Sequence, residues 1–535
     1  MSLAGLLSVI AADPQLRRAL DAAGTGAAAD GGDLGGAAAG GGDLGSASAG
    51  GDLVGPAELR PFIAAALAAR AGRFVLAVTA TAREADDLTA ALGSLLPAES
   101  VACFPAWETL PHERLSPRSD TVGQRIAVLR RLAHPDPSDP VAGPLSVVVT
   151  PVRGLLQPIV AGLGDLEPVR LAPGQAADPD DVLTRLVEIG YTRVDLVEKR
   201  GELAVRGGIL DVFPPTEEHP LRVEFFGDEV DEIRSFKVAD QRSLGPAPAL
   251  WAPPCRELLL TPAVRERAKE LAAEHPGLAD ALGKLADGIA VEGMEAFSPA
   301  LAERMDLLLD HVPPGGAVLA CDPERIRTRA GELVRTSDEF LQASWVNAAA
   351  GAQAPIDLGE SAFRPITQVR ASADQLGLPW WTIAPFGAGD AAQPEPAAQP
   401  EPAAQPEAAA QPEPAAQPEL AGLRDAGRPV FVTGARPAEA YRGDTARVLA
   451  DVRHWLAGGW RVVLVTEGHG PAQRLTELLH GEGLGARLAG LEDAPEPGVP
   501  YVSTGLIGHG FSWPGARLAV CLLYTSDAAD DLTRV

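Results

Sequence analysis

Apolar residues recur along the chain in patterns that predict different structures. RFVLAVTA at 73–80 predicts a buried strand, and the TARE that follows, with Thr81 and Glu84 in capping-box spacing, predicts the start of a helix. LSVVVTPV at 145–152 and AVLACDP at 317–323 are further apolar runs that stop at turn residues, as buried strands do. These alternating segments predict an α/β domain on a mostly parallel sheet.

Short alternating strands replace this pattern between residues 191 and 238. The segments TRVDLV, ELAVRG, GILDVF, LRVEFFG and DEVDEIRSFKV are separated by Gly, Pro and Asp, which is typical of antiparallel hairpins. RPVFVTG at 428–434, a helix around 445–456 and RVVLVTEG at 461–468 then return to alternating strands and helices. We therefore expect a β-rich insert and, after it, a separate small α/β domain.

Two low-complexity tracts have compositions that provide too little apolar burial to offset the conformational entropy lost on folding. Residues 23–55 are nearly all Gly, Ala, Asp and Ser, with GGDL recurring, and we expect a disordered insertion. Residues 386–422 are rich in Pro and Glu and predict an extended linker. Leucine and isoleucine at helical spacing in residues 1–22 predict one or two amphipathic helices.

Composition and charge narrow the classes of function. The 535 residues include 45 Lys and Arg against 72 Asp and Glu, and the net charge of -27 disfavours nucleic-acid binding over the whole surface. Four widely spaced cysteines without a CxxC pair predict neither a zinc site nor a disulfide framework. The sequence shows no secretory signal and no run of about 18 apolar residues, so we expect a soluble cytoplasmic protein.

A nucleotide-hydrolysing α/β domain needs the phosphate loop GxxxxGK[ST], whose backbone amides cradle the phosphates and whose lysine neutralises them. Lys284 follows a glycine in GLADALGKL, but the glycine spacing and the Ser or Thr are missing. The strand AVLAC ends in Asp322 followed by Pro323, without the paired carboxylates of a Walker B motif. We predict a plain strand end at Asp322, with metal binding as the alternative, and no nucleotide, metal or catalytic site.

Histidines and tryptophans supply weaker candidates. His112 and His134 lie near no recognised nucleophile, and we expect solvated loop histidines rather than a catalytic base. Trp380 and Trp381 in LPWWTIAP are candidates for exposed side chains that stack on nucleic-acid bases, although core packing is the favoured alternative.

Three longer motifs resemble a known family. FPAWETLPHERLSPRSDTVGQR (104–125), GYTRVDLVEKRGELAVRGGILDVFPP (190–215) and LRVEFFGDEVDEIRSFKVADQRS (221–243) resemble the N-terminal half of the bacterial transcription-repair coupling factors. The likeness runs from residue 1 to about 520, outside the two low-complexity tracts. In that family the region is similar to the damage-recognition helicase subunit UvrB, with a motor-like domain interrupted by a β-rich domain. The family's copy has lost its nucleotide site.

The resemblance implies a binding function. In the family the β-rich domain binds the repair protein UvrA, while the C-terminal half grips RNA polymerase stalled at lesions and moves along double-stranded DNA with ATP and magnesium. We expect this chain to end before that half, to recruit UvrA for nucleotide excision repair, and to hydrolyse no ATP alone. The alternatives are a UvrB-like ATPase acting on damaged DNA, which needs a phosphate loop, and a passive scaffold without a UvrA contact.

The expected fold is an α/β multidomain chain with a RecA/UvrB-like parallel-sheet domain that lacks a P-loop. The predicted segments are N-terminal helices (1–22), a disordered insertion (23–55), the first part of the UvrB-like domain (56–165), a β-rich UvrA-binding domain (166–245), the second part of the UvrB-like domain (246–385), a Pro/Glu-rich linker (386–422), a small α/β domain (423–520) and a tail (521–535). The tail, CLLYTSDAADDLTRV, resembles a translated sequencing adapter, and we expect it to be foreign.

Arg206 is the main candidate binding residue. In ELAVRGG the residues at 203 and 205 point to one face of a strand and Arg206 to the other, so we expect an accessible guanidinium. The two glycines after it permit a bulge or the close approach of another backbone. From the residues alone, Arg206 either meets a partner carboxylate or pairs with Glu202 or Asp211 on the sheet.

The family resemblance favours the partner contact. It implies that this strand carries the arginine that contacts UvrA, and it predicts a UvrA-binding patch of Arg206, Arg193 and Phe213. An arginine with an aromatic side chain is also the usual composition of a hot spot in a protein interface.

Overall fold

A computed structural model describes residues 2–28, 50–139, 142–349, 355, 363–385, 428–438 and 445–522. The helices of these residues are α1 (Gly5–Ile10), α2 (Pro14–Ala28), α3 (Arg60–Ala69), α4 (Ala82–Leu92), α5 (Ser119–Ala133), α6 (Val152–Leu156), α7 (Pro179–Glu188), α8 (Pro262–Glu274), α9 (Ala279–Ala286), α10 (Ser298–Leu301), α11 (Pro323–Ala349), α12 (Ile366–Gln375), α13 (Thr445–Ala457) and α14 (His469–Gly481). Over the described residues, none of the helices combines the length and the apolar character needed to cross a bilayer.

The strands are, in chain order, β1 (Asp52–Val54), β2 (Val75–Thr79), β3 (Val101–Cys103), β4 (Val147–Pro151), β5 (Ile159–Val160), β6 (Val169–Leu171), β7 (Thr192–Arg193), β8 (Glu202–Arg206), β9 (Ile209–Val212), β10 (Leu221–Phe226), β11 (Glu229–Phe236), β12 (Ser243–Pro246), β13 (Leu250–Ala252), β14 (Met305–Asp306), β15 (Ala317–Cys321), β16 (Trp380–Ala384), β17 (Val430–Val432), β18 (Arg436–Pro437), β19 (Arg461–Thr466), β20 (Arg487–Leu488), β21 (Pro500–Thr504), β22 (Phe511–Trp513) and β23 (Leu518–Leu522). They form one seven-stranded sheet, two six-stranded sheets and two ribbons of two strands.

The seven-stranded sheet is parallel throughout, in the order β17-β1-β16-β15-β2-β4-β3. Helices α1 to α4 pack on one face and α5, α6, α11 and α12 on the other, so strands such as β2, β4 and β15 are buried at every position. The predicted parallel sheet is confirmed. So is the capping box, since Thr81 accepts from the amide of Glu84 and the Glu84 side chain accepts in return.

Both ends of the first low-complexity tract differ from the expectation. Helix α2 continues to Ala28, and β1 begins at Asp52, so both ends of the predicted insertion (23–55) are regular structure; residues 29–49 lie outside the described residues.

Strand β17 pairs with β1 at the edge of the seven-stranded sheet, although the sequence pattern predicts it at the start of the small α/β domain. A short apolar strand is satisfied in any parallel sheet, so its pattern does not specify which one it joins.

The last α/β unit has its own six-stranded sheet, in the order β18-β22-β23-β19-β21-β20. Helices α13 and α14 cover one face, while the other shares a continuous apolar core with α1, α3 and the first sheet. The rings of Phe62 and Phe511 lie 4.9 Å apart across this contact. Strand β23 includes Cys521 and Leu522, the first two residues of the predicted tail, and residues 523–535 lie outside the described residues.

The β-rich insert forms the other six-stranded sheet, in the order β12-β11-β10-β9-β8-β7. It extends past its predicted end at residue 245, because β13 pairs with β6. Beyond it, helices α8 to α10 enclose a separate apolar cluster that the sequence pattern does not distinguish from the parallel-sheet domain. Short amphipathic helices look alike in sequence whichever core they bury, so only the contacts reveal this unit.

Two tryptophans and one histidine that the sequence offers as candidates are buried. Trp380 and Trp381 lie in the buried strand β16, so the favoured expectation of core packing is confirmed and neither can stack on a base. His112 is 4% exposed and is not a solvated loop histidine, because its loop folds inward. His134 does reach solvent, and its Nε2 lies 2.7 Å from a carboxylate oxygen of Asp165.

Candidate functional site

The β-rich sheet has one face against a core and a second face that is only partly exposed. Leu203, Leu210 and Val223 point into a core that includes apolar residues of α7. The alternate positions of β8 to β11 point the other way, as the period of two requires. We call this second surface the open face, and its residues are Glu202, Ala204, Arg206, Ile209, Asp211, Arg222, Glu224, Phe226, Glu232, Arg234 and Phe236. Arg206 and Phe226 are exposed, Ala204, Asp211 and Phe236 are buried, and the others are half-buried.

Arg206 is exposed at the end of β8, as the alternation predicts. Neither of the intrasheet carboxylates proposed for it is its partner: Asp211 is bound by Arg222, and Glu202 accepts from the amides of residues 198 and 199. The guanidinium instead donates from Nη2 to the backbone oxygen of Asp195 at 2.9 Å. A single bond to a carbonyl leaves its charge and most of its five donors for a partner.

The two glycines after Arg206 form the hairpin turn between β8 and β9. Gly207 has φ +60°, which a residue with a side chain rarely adopts. At Gly208 a Cβ would lie 3.0 Å from the carbonyl oxygen of Phe225, so the missing side chain lets β10 approach. The close backbone approach predicted at these glycines is therefore made by the chain's own next hairpin.

The other two predicted patch residues do not join Arg206 on one exposed surface. Arg193 is exposed, but it pairs in register with Leu203, whose side chain points into the core, so it leaves the sheet on the opposite side. Phe213 is on the side of the open face but is only 6% exposed, covered by Val197 and lying 5.0 Å from the guanidinium of Arg200.

An exposed aromatic side chain does lie near Arg206. Phe226 is 84% exposed at the tip of the β10–β11 hairpin, while Phe225 before it packs toward the core. Arg206 is level with Ile209 and Glu224 across β8, β9 and β10, and Phe226 lies two residues beyond Glu224. At about 4.8 Å per strand and about 3.4 Å per residue, Arg206 and Phe226 are therefore about 12 Å apart. The sequence signal is the FF pair before Gly-Asp, since alternation sends one Phe to each face.

Arg222 forms a bidentate ion pair with Asp211 on the open face. Its Nε and Nη2 donate to the two carboxylate oxygens of Asp211 at 2.7 and 2.9 Å, and Asp211 is buried. The hydrogen bond to Asp211 raises the pKa of the Arg222 guanidinium. Its guanidinium also lies 4.6 Å above the ring of Phe236, which fixes its position on the sheet.

The carboxyl edge of the parallel sheet is where α/β folds bind nucleotides. Here β1 leads into α3 through residues 55–59, and a Cβ at Gly55 would lie 2.7 Å from Oγ1 of Thr433. Lys284 lies elsewhere, in α9, paired with Asp280 at 2.9 Å. Within the described part of the chain, no group of three or more His, Cys, Asp or Glu could hold a metal ion.

Comparison with known proteins supports a relationship over most of the chain. Residues 169–257 match the model of the UvrB interaction domain. The chain is 46% identical over 484 residues to the transcription-repair-coupling factors of Mycobacterium tuberculosis (strain CDC 1551 / Oshkosh) and Mycobacterium bovis, covering 87% of this chain and 36% of each relative. It is 29% identical over 303 residues to that of Bacillus subtilis (strain 168), covering 53% of this chain and 25% of the relative.

The fold and the matched segment first define a class: an α/β protein whose parallel-sheet domain carries a UvrB interaction domain. Within that class, the chain belongs to the transcription-repair-coupling factor family and corresponds to its N-terminal region. The chain covers 36% of the length of each curated relative that it matches at 46% identity.

Proposed function

We propose that this chain is the UvrA-recruiting, non-hydrolytic module of a transcription-repair coupling factor. The observation that carries the proposal is the open face, because it lies inside the segment that matches the UvrB interaction domain and presents Arg206 and Phe226 to solvent. Arginine and aromatic anchors of this kind dominate the binding energy of many protein interfaces. The proposed partner of this surface is the repair protein UvrA.

The parallel-sheet domain supports the non-hydrolytic part of the proposal. We infer a RecA/UvrB-like architecture without a P-loop, in which the β1–α3 connection takes the position of the phosphate loop. Pro56 and Pro61 supply no amide hydrogen, and Glu58 adds a negative charge where phosphates would need donors and cations. The chain alone is therefore proposed to use neither ATP nor magnesium.

The activity of the whole protein is a further part of the proposal. The complete coupling factor would recognise RNA polymerase stalled at lesions, displace it by ATP-driven translocation on double-stranded DNA, and recruit UvrA for nucleotide excision repair in the cytoplasm. In this division of labour the present chain supplies the contact with UvrA. The contacts with polymerase and DNA belong to other parts of the protein.

Capture of the chain by immobilised UvrA tests the proposed contact. Arg206→Glu is expected to weaken capture roughly tenfold or more, because a hot-spot residue contributes about 2 kcal/mol or more. The matched control is Arg185→Glu, which reverses the same charge. Arg185 lies on α7, and this helix packs against the opposite side of the sheet. Unchanged capture by Arg206→Glu would exclude this residue from the interface. Equal loss in both variants would indicate a general effect of charge.

A further inference from the structure

Helices α3, α4 and α11 begin at the carboxyl edge of the parallel sheet, as does the five-residue helix α6 after β4. Helices α3, α4 and α11 follow strands β1, β2 and β15, and the parallel order brings the ends of these strands to one side. The N-terminus of a helix carries partial positive charge and unpaired amide donors, so a convergence of this kind favours an anion. In nucleotide-binding folds that anion is a phosphate.

Two carboxylates of the chain occupy this edge. The two carboxylate oxygens of Glu84 have different partners. Oε2 accepts from the amide and the hydroxyl of Thr81 at 3.2 and 3.1 Å. Oε1 lies 3.6 Å from Nη1 of Arg60 and 2.5 Å from Nη1 of Arg325. Asp322 accepts from the amide of Arg325 at 3.3 Å through Oδ1 and lies 3.4 Å from Nη2 of Arg60 through Oδ2. Each carboxylate therefore contacts a helix start and a guanidinium.

The network links residues that are distant in sequence and mostly shielded from water. Arg60, Glu84 and Asp322 have side chains only 15%, 22% and 14% exposed. Arg60 is the first residue of α3, and it reaches across the edge to the carboxylate that follows β15. Ion pairs between partly buried groups are screened less by salt than pairs in open solvent.

The backbone of Asp322 is strained in a way that serves this contact. Its φ is +69°, in the left-handed region that a residue with a side chain adopts at a cost. Its amide nevertheless donates to the carbonyl of Ile383 at 2.8 Å, which continues the pairing of β15 with β16. The turn thus keeps the sheet intact while aiming the carboxylate at Arg60, and so Asp322 is more than the plain strand end that the sequence predicts.

We propose that Glu84 and Asp322 are an internal anion that takes the place of a phosphate at this edge, with Arg60 and Arg325 as its countercations. This inference rests on the proposed non-hydrolytic function and gives it a physical cause. The two carboxylates and two guanidiniums balance in charge, and amides at the starts of α4 and α11 have carboxylate acceptors without a ligand. The edge is thereby fixed in one arrangement instead of opening and closing with nucleotide.

Thermal unfolding in the presence of pyrophosphate tests the internal anion. The double variant Glu84→Gln with Asp322→Asn removes two negative charges while keeping the side-chain shapes. We expect pyrophosphate to raise the Tm of its parallel-sheet domain by several degrees more than sodium chloride at equal ionic strength, since about 1 kcal/mol shifts Tm by about 2 to 4 °C in a domain of roughly 150 to 250 residues. The wild-type Tm should respond equally to the two salts. Adding Arg60→Ala to the double variant should abolish its response.

The matched control removes two charges from the same helices away from the edge, with Asp87→Asn on α4 and Glu332→Gln on α11. It should behave as the wild type does. A double variant indifferent to pyrophosphate, or a wild type stabilised as strongly, would overturn the proposal. Should the double variant fail to fold, the single variants decide by the same comparison. Capture by UvrA should remain unchanged in all of them, so the two proposals fail separately.

Discussion

The guanidinium of Arg125 and the carboxylate of Glu257 form a fully buried ion pair, with Nε and Oε1 2.5 Å apart and side chains 0% and 1% exposed. Arg125 belongs to α5 of the parallel-sheet domain, and Glu257 is the last residue matched to the UvrB interaction domain. Trp107 donates from Nε1 to the same oxygen at 2.8 Å. The pair therefore fastens the exit of the β-rich unit to the sheet that carries it.

Removing one partner of this pair should be severely destabilising. Glu257→Gln leaves the Arg125 charge buried without its carboxylate, and we expect a loss of about 3 to 5 kcal/mol in the free energy of unfolding by urea. Arg118→Ala, at an ion pair whose arginine is 71% exposed, should cost less than about 1 kcal/mol. If Arg125→Met combined with Glu257→Gln were no more stable than Glu257→Gln alone, the buried charge would not be the cause.

Two phenylalanines of the β-rich unit should separate binding from stability. Phe226→Ala removes an exposed side chain, so we expect weaker capture by UvrA and a change in unfolding free energy within about 0.5 kcal/mol. Phe213→Ala empties a buried site and should cost about 3 kcal/mol while the folded fraction still binds. Each variant is measured in two ways: its capture by UvrA is followed by surface plasmon resonance, and its stability by urea unfolding. The reverse pattern would restore Phe213 as the anchor.

Local pattern was sufficient for some of these features and insufficient for others. The capping box and the outward direction of Arg206 depend only on residues within a few positions, and both could be predicted. Alternation also places Phe213 and Phe226 on one side of the sheet, but Phe213 is covered by the loop around Val197, a contact that period-two reasoning does not contain. The direction of Arg193 depended likewise on the pairing of β7 with β8.

The edge of the parallel sheet shows the same limit on a larger scale. The absence of a phosphate-loop motif could be read directly from the chain, but the partner of Asp322 could not, because Arg60 lies 262 residues away. Long-range ion pairs leave no periodic signal in a single sequence. The strand β17 is similar, since its neighbour in the sheet is fixed by packing rather than by its own composition.

Cysteine chemistry gives a prediction that depends on pH. Burial raises the pKa of the Cys103 and Cys321 thiols to about 12 from a usual value of 9.0, so both remain protonated at pH 8. We expect iodoacetamide to label them slowly in the native chain and rapidly in urea, as mass spectrometry of tryptic peptides would show. Because the unfolded thiols ionise first, their contribution to stability is complete below pH 9 and is lost between about pH 9 and 12. Cys103 is half-buried and Cys321 is buried, so fast native labelling of Cys321 at pH 8 would contradict this prediction most directly.

The first helix should prove essential to the attachment of the last α/β unit. The amide of Gly5 donates to the carbonyl of Leu491 at 2.6 Å, and the amide of Leu491 donates to the carbonyl of Ser2 at 2.7 Å, so the N-terminal segment pairs directly with that unit. A Cβ at Gly5 would lie 2.0 Å from the carbonyl oxygen of Asp493, and a backbone oxygen cannot move aside cheaply. Gly5→Ala must therefore displace α1 or the loop that it meets.

We expect Gly5→Ala to lower Tm and to accelerate amide hydrogen exchange in β19 and β21, while exchange in β2 and β4 changes less. Gly24→Ala is the matched control, because a Cβ there meets no atom within 4 Å and the residue lies inside α2. In that helix the change should be neutral or stabilising by up to about 1 kcal/mol. If the two substitutions had the same effect, the contact with Asp493 would not hold the units together, and the shared core around Phe62 and Phe511 would have to suffice by itself.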